Sequence, residues 1–179
     1  DYKKIKSNLS LPSINSFSPV NIDKEINVNV EDSDKCPFYS GLVIKNINVD
    51  SSSQEIQNKL KSIGLKPINS IVDITNYVMH EIGQPLHAFD LDKIENITVK
   101  SLKSGTKFKT LDESEIKLNN EDLMICSNSE PLCLAGIYGG INSGVSKSTN
   151  SLFLESAIFN SVTILSLIHI SEPTRPNNI

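Results

Sequence analysis

What this sequence lacks argues against several classes of protein. Its three cysteines, Cys36, Cys126 and Cys133, include no C-x-x-C pair. This argues against a disulfide scaffold or a zinc site and favours a reducing cytoplasm, with each thiol acting as a small buried hydrophobe. No apolar run approaches ~20 residues, so no transmembrane helix is expected. The 17 basic residues are outnumbered by 21 acidic ones, for a net charge of −4. Proteins that grip nucleic acid along its backbone are normally basic, so we expect this chain at most to accept the tip of an RNA held elsewhere.

The 179 residues are enough for one domain with a hydrophobic core. The sequence begins at Asp1 with neither Met nor an apolar h-region, so we expect the middle of a longer chain and not a signal peptide. Residues 1–35 are rich in Ser, Asn, Lys and Asp, and only Ile26, Val28 and Val30 alternate. We interpret them as an interdomain linker with one lead-in strand, and residues 36–164 as the domain itself.

The last segment, residues 165–179, is unlike the rest of the chain. From Leu165 to Arg175 it matches one reading frame of a transposase-type sequencing adapter translated by mistake. Residues 176–178 fall where a variable index would lie, and Ile179 where the constant sequence resumes. A native amphipathic tail is the alternative. We expect this segment to lack a packed place in the domain and assign no function to His169.

Local patterns predict helices early in the domain and strands late. Ser51 to Ser53 can cap a helix over residues 53–63, which Gly64 ends in a left-handed conformation. A second helix is predicted over residues 69–81, stopped by Gly83 and Pro85. The order of helices and strands predicts an α+β fold. Strands are predicted at residues 39–47, 97–100, 107–111, 116–118, 123–126, 132–137 and 152–155, with the last two buried and close together.

The segment from Asn69 to Asp90 holds more small polar residues than a helix or a loop requires. Asp73, Thr75 and Asn76 stand among apolar residues, and a Gly-Gln-Pro turn is followed by His87. Because buried polar groups are costly unless they are hydrogen-bonded, this pattern indicates a shaped pocket. His87 could exchange a proton or hold a water there, or it could be a satisfied core histidine.

Two further features are candidates for a ligand site. Glu155 stands among Leu152, Phe153, Leu154 and Ala157 on a predicted buried strand, where a carboxylate needs partners. A glutamate that points to solvent at a strand end is the simpler alternative. A second candidate is a G-x-x-G-G run, which lacks the Lys-Ser or Lys-Thr of a P-loop. Its glycines would let the backbone approach a ligand closely, or form only a tight turn. The run comprises Gly136, Gly139 and Gly140.

Four segments, in order and spacing, resemble the bacterial phenylalanyl-tRNA synthetase β chain in its B3/B4 editing module. They are CPFYSG at 36–41, the segment 69–90, LAGIYGG at 134–140 and LFLESA at 152–157. The resemblance covers residues 36–164 and implies an α+β domain of B3/B4 type, with mixed sheets and packed helices. It also implies a cytoplasmic ligase of two α and two β chains. The α chain binds ATP, with Mg, and phenylalanine, while the β module hydrolyses tyrosine wrongly attached to the phenylalanine tRNA.

The resemblance implies a role for each candidate residue. His87 would lie beside the scissile ester, as a base or as a residue that positions water. Glu155 would accept a hydrogen bond from the tyrosine hydroxyl, because tyrosine and phenylalanine differ by that group alone. Thr75, Asn76, Gly136 and Gly139 match further substrate-binding positions, and we expect all six residues to line a single cavity.

The implied partners are the α chain, the acceptor end of the tRNA and the mischarged tyrosine, with no membrane. Neither a metal nor a cofactor is expected in this segment. In the family, residues beyond the match to Ile164 also contribute to the pocket. The adapter-like sequence stands in their place, so one wall is expected to be missing.

Two other classes of function stay open. One is a non-catalytic module that binds an RNA tip or a protein on the same fold. The other is a structural segment that docks the α chain. The joint presence of Glu155, His87 and Gly136 favours hydrolysis. Neither an ATP site nor a Ser-His-Asp arrangement is recognisable, so this segment alone is not expected to ligate.

Overall fold

The computed structural model describes residues 13–20, 25–111, 113–140 and 142–167, and residues 166 and 167 are described by their backbone alone. These residues form three α-helices and ten β-strands, which confirms the predicted α+β fold. The helices are α1 (Gln54–Ser62), α2 (Ser70–Ile82) and α3 (Ser161–Leu167). The strands are β1 (Val28–Val30), β2 (Phe38–Ile44), β3 (His87–Asp90), β4 (Ile97–Ser101), β5 (Lys107–Lys109), β6 (Glu115–Lys117), β7 (Leu123–Ser127), β8 (Glu130–Leu134), β9 (Tyr138–Gly139) and β10 (Leu152–Ile158).

The first two helices begin and end where their capping residues predict. The side chain of Ser53 accepts a hydrogen bond from a backbone N–H of the first turn of α1, and Gly64 follows the helix with a φ of 84°. Asn69 caps α2 in the same way by accepting from two backbone N–H groups. Gly83 ends α2 in the left-handed conformation, with a φ of 80°. Both predicted helices are confirmed, with boundaries shifted by one residue.

The strands form a five-stranded sheet in the order β1-β4-β7-β8-β9, a three-stranded sheet in the order β2-β10-β3, and the β5-β6 hairpin. β1 pairs with β4 in parallel, and the remaining pairs are antiparallel. The predicted lead-in strand is therefore present as β1. Its residues Val28 and Val30 pack against the main core, while the linker role of the residues before it stays a prediction.

Period-two alternation buries both faces of the five-stranded sheet. Leu123 and Ile125 join a main core that also contains Phe89 and Phe153 of the three-stranded sheet. Met124 and Cys126 point the other way, into a smaller core. The two larger sheets thus share one apolar interior, and the three cysteines are buried free thiols, as expected.

The strand predicted over residues 132–137 is too long. β8 ends at Leu134, because Ala135 to Ile137 form a turn in which Gly136 has a φ of 71°. The two strands expected to lie close together belong to different sheets. Even so, Cys133 of β8 and Glu155 of β10 line the same cavity.

The predicted adapter-derived segment lies largely outside the described residues, which end at residue 167. Helix α3 includes the first three residues of that segment, and Leu165 is exposed. The interpretation of residues 165–179 stays a prediction. No helix within the described part of the chain is long and apolar enough to span a membrane.

Candidate functional site

Glu155 lies at the middle of β10, the central strand of the three-stranded sheet. It is paired with Gly41 on β2 and with His87 on β3. Residues directly opposite each other in antiparallel strands point to the same face of the sheet. Gly41, Glu155 and His87 therefore form one row across the sheet, on the face that also presents Phe89 and Phe153 to the main core.

The Glu155 side chain is buried, with 6% of the residue exposed. One carboxylate oxygen, Oε2, accepts a hydrogen bond of 2.7 Å from the hydroxyl of Tyr39. Burial raises the pKa of Glu155 to about 7, and the hydrogen bond from Tyr39 opposes part of that rise. Glu155 is therefore an interior carboxyl group that titrates near neutral pH, and the alternative of a solvent-facing glutamate is excluded.

His87 opens β3 and packs edge-on against Phe89, with ring centroids 4.5 Å apart. The residue as a whole is half-buried, but its Nε2 atom is fully covered and has no hydrogen-bond partner among the described residues. Burial lowers the pKa of His87 to about 4, so the imidazole is neutral at neutral pH. Because an unpaired buried polar atom is costly, Nε2 marks a point of the described site where hydrogen bonding is unsatisfied.

Two adjoining cavities share His87 as a wall. The first, of about 370 Å³, is bounded by Glu155 and Gly136. The second, of about 500 Å³, is bounded by Thr75 and Asn76 of α2. Both are lined by His87 and Gly139. The six candidate residues are therefore distributed over two adjoining cavities that share His87 and Gly139, with Gly136 and Glu155 on the first and Thr75 and Asn76 on the second.

The polar residues of α2 differ in what they do. The hydroxyl of Thr75 donates to the Val72 carbonyl at 2.9 Å, which leaves its oxygen able only to accept from a ligand. Asp73, by contrast, accepts from the Ser52 hydroxyl at 2.5 Å and from the Ile68 N–H at 2.8 Å. Asp73 therefore anchors the helix to the preceding loops. This structural role explains its burial, and no ligand is needed to account for it.

Gly136 and Gly139 bring the backbone close to side chains of the site. A Cβ atom on Gly136 would lie 3.1 Å from Ile164 and 3.2 Å from Phe159. A Cβ atom on Gly139 would lie 2.8 Å from Leu111 and 3.2 Å from the imidazole of His87. The lack of a side chain at these two positions therefore lets the backbone pack closely against Phe159 and Ile164 and lets β9 lie against His87.

Gly136→Ala should destabilise the chain by more than the ~1–2 kcal/mol expected for a left-handed alanine. The additional loss arises because the new methyl group crowds Phe159 and Ile164. Gly105→Ala is a matched control, since Gly105 has a φ of 85° and nothing within 4 Å of the added atom. Chemical denaturation measures both variants, and equal losses would contradict close packing over Gly136.

Glu155 and His87 should give opposing contributions to the dependence of stability on pH. Glu155 has a folded pKa of about 7 against an ordinary 4.5, so its folded form holds the proton more tightly and stability falls as pH rises across that interval. His87 has a folded pKa of about 4 against 6.5, so stability is lost as pH falls through that interval.

Between about pH 4.5 and 6.5 the two contributions change the free energy of unfolding in opposite directions. Replacing one residue should therefore leave the pH dependence of the other visible. Relative to wild type, the free energy of unfolding of Glu155→Gln should increase by about 3 kcal/mol as pH rises from 4.5 to 7. His87→Gln should gain a similar amount as pH falls from 6.5 to 4. Urea denaturation across this range measures the free energy of unfolding. Parallel pH profiles for the three proteins would contradict the burial of these groups.

Tyr39 was missed as a site residue, although it lies within the quoted CPFYSG segment. Alternation along the strand places Tyr39 and Gly41 on one face. Nothing local predicts that this face opposes Glu155, because that depends on the pairing of β2 with β10 across more than 100 residues.

The fold and site together define an α+β domain in which a buried carboxyl group and a neutral imidazole border adjoining cavities. The model of the B3/4 domain family matches residues 35–168, and the chain belongs to this family. The described residues contain no group of three or more His, Cys, Asp or Glu side chains that could hold a metal ion.

Curated relatives match most of this chain. The phenylalanine–tRNA ligase beta subunit of Porphyromonas gingivalis is 52% identical over 159 residues, which is 87% of this chain and 19% of that subunit. That of Bacteroides fragilis is 49% identical over 153 residues, 84% of this chain and 19% of the subunit. The chain therefore spans about a fifth of the length of these relatives.

A solved structure shares the fold. It is an N-terminal fragment of the phenylalanyl-tRNA synthetase beta-subunit from Pyrococcus horikoshii, with a TM-score of 0.56 and 16% identity. The match covers 86% of this chain and 52% of that one.

Proposed function

We propose that this domain hydrolyses tyrosine wrongly esterified to the phenylalanine tRNA, as the B3/4 module of a phenylalanine–tRNA ligase β chain. The observation that carries the proposal is the pairing of Glu155 with His87 across β10 and β3. Glu155 provides a buried hydrogen-bond acceptor, and His87 borders both cavities. A tyrosyl ring in the first cavity would then reach Glu155 while its ester linkage lies near His87.

Glu155 supplies the discrimination in this proposal. A pocket that fits tyrosine cannot exclude phenylalanine by size, so it must leave a buried polar group unpaired when the hydroxyl is missing. The carboxylate meets this requirement, because only Oε2 has a hydrogen bond from a described residue. The substrate hydroxyl would donate to Oε1.

His87 acts as a residue that positions water. With a pKa of about 4 it is a weak base at neutral pH. An ester of a vicinal diol is intrinsically reactive, so an ordered water beside the free hydroxyl of the terminal ribose is a sufficient nucleophile. The uncharged imidazole would orient that water or the ribose from its position on the wall shared by the two cavities.

The second cavity would receive the adenosine end of the tRNA. Thr75 and Asn76 line it on α2, and Gly139 lines its border with the first cavity. Gly136 would contact the aminoacyl group on the other side of His87. The tRNA body, the α chain, ATP and Mg belong to the assembled ligase in this proposal, and the domain itself uses no cofactor.

The proposal is tested by measuring the hydrolysis of charged tRNA. The enzyme used is the ligase assembled from the complete β chain and its α partner. Pre-charged tyrosyl-tRNA should lose its tyrosine, while phenylalanyl-tRNA should be largely spared. Binding of the acceptor end without release of tyrosine would contradict hydrolysis and favour the non-catalytic binding module.

A further inference from the structure

We infer that Tyr39 is a positioning residue for substrate discrimination: its hydroxyl holds one oxygen of Glu155 so that the other is presented to the substrate. The inference rests on the proposed function and adds a residue that contacts neither cavity. Tyr39 is absent from the residues that line the two cavities, so it would act only through Glu155.

The sheet fixes the geometry of this contact. Tyr39 is paired with Ala157, two residues along β10 from Glu155, so the two side chains are diagonal neighbours on one face. The Tyr39 ring packs against the main core, which restricts its two side-chain torsions. The resulting 2.7 Å hydrogen bond joins Tyr39 Oη to Glu155 Oε2. A rigid donor on one side leaves Oε1 as the oxygen available to a ligand.

Tyr39 is also the main group that favours the charged form of Glu155. From β3 the carboxyl group faces His87, which is neutral at pH 7. The thiols of Cys36 and Cys133 lie nearby, and burial raises the pKa of both, to about 11 for Cys36. Among the described residues no cation forms an ion pair with Glu155. Burial together with the neighbouring Glu155 raises the pKa of Tyr39 far above its ordinary value, so its hydroxyl remains a donor throughout the neutral range.

Tyr39→Phe keeps the ring and removes only this donor. Without this donor, Glu155 should hold its proton to a higher pH, because the hydrogen bond that lowers its pKa against the effect of burial is lost. The preference for tyrosyl over phenylalanyl ester should fall about tenfold at pH 7, as one well-placed hydrogen bond permits. In wild type this preference should rise with pH as Glu155 ionises, and in the variant the same rise should shift to higher pH.

Tyr77→Phe is a matched control. Tyr77 also donates a 2.7 Å hydrogen bond to a carboxylate, that of Glu81, but on the exposed surface of α2. In the assembled ligase, deacylation of tyrosyl- and phenylalanyl-tRNA is measured from pH 6 to 9 for wild type and both variants. The ratio of the two rates cancels the intrinsic pH dependence of ester hydrolysis. We expect Tyr77→Phe to match wild type and Tyr39→Phe to show the lowered and shifted ratio.

Two further measurements separate a positioning role from a merely structural one. When Glu155 is already Gln, adding Tyr39→Phe should change the ratio little, because the two residues act through one contact. Carboxyl ¹³C titration of the 179-residue chain should show a higher pKa of Glu155 in Tyr39→Phe than in wild type.

An unchanged ratio and pH midpoint in Tyr39→Phe would overturn the inference while leaving hydrolysis intact. Equal slowing of both esters would also overturn it, since a structural role predicts that result. No tyrosyl-tRNA hydrolysis by wild type would overturn the proposed function together with this inference.

Discussion

Glu155→Ala should reduce the preference for tyrosyl- over phenylalanyl-tRNA as a hydrolysis substrate by roughly ten- to a hundredfold. Hydrogen bonds to charged groups contribute about 1.5–3 kcal/mol, and each ~1.36 kcal/mol corresponds to a factor of ten. The truncation removes the buried acceptor at the middle of β10. Phenylalanine charging should be nearly unchanged, because in the proposed ligase that reaction belongs to the α chain.

The measurement is deacylation of both pre-charged tRNAs by the assembled ligase, alongside charging with phenylalanine. Glu130→Ala is a suitable control, since Glu130 is an exposed strand glutamate on β8. Equal hydrolysis of tyrosyl-tRNA by wild type and Glu155→Ala would contradict recognition of the hydroxyl by Glu155. Loss of phenylalanine charging would instead favour the structural docking hypothesis.

His87→Ala should slow hydrolysis of both esters by about a hundredfold, the lower end of what positioned proton-transfer or water-orienting groups contribute. The ratio between the two esters should change little, because His87 borders the junction of the cavities while Glu155 bounds only the first. The variant separates rate from preference, which Glu155→Ala does not.

Single-turnover deacylation at pH 7 measures both quantities for His87→Ala. His80→Ala is the control, since His80 is an exposed histidine in the last turn of α2. A fall in the ratio without a fall in rate would contradict placement of His87 beside the ester and would indicate contact with the substrate ring.

Features set by neighbouring residues are the ones that sequence predicts well. Asn69 and Gly83 delimit α2 because a cap acts within one helical turn. The local pattern leaves both burial and solvent exposure of Glu155 open, and the resemblance favours the buried position that the structure shows. These local patterns, together with the resemblance, identify the fold and the residues that border the cavities.

Features that depend on pairing between distant segments were not predictable from local patterns. The contact of Tyr39 with Glu155 requires the register of β2 against β10. The separation of Thr75 from Glu155 depends on which side of β3 the second helix packs. The early end of β8 at Leu134, by contrast, reflects a local turn at Gly136 that the apolar run of residues 132–137 conceals.

The central claim is that Glu155 receives the hydroxyl of a tyrosyl group while His87 lies at its ester. A crystal structure of the complete β chain with its α partner, bound to a tyrosyl-adenosine analogue with an amide in place of the ester, tests it most directly. We expect the ring in the cavity of about 370 Å³, its oxygen within about 3 Å of Glu155 Oε1, and the amide beside His87. A ring bound in the second cavity, or a phenolic oxygen directed away from Glu155, would contradict it.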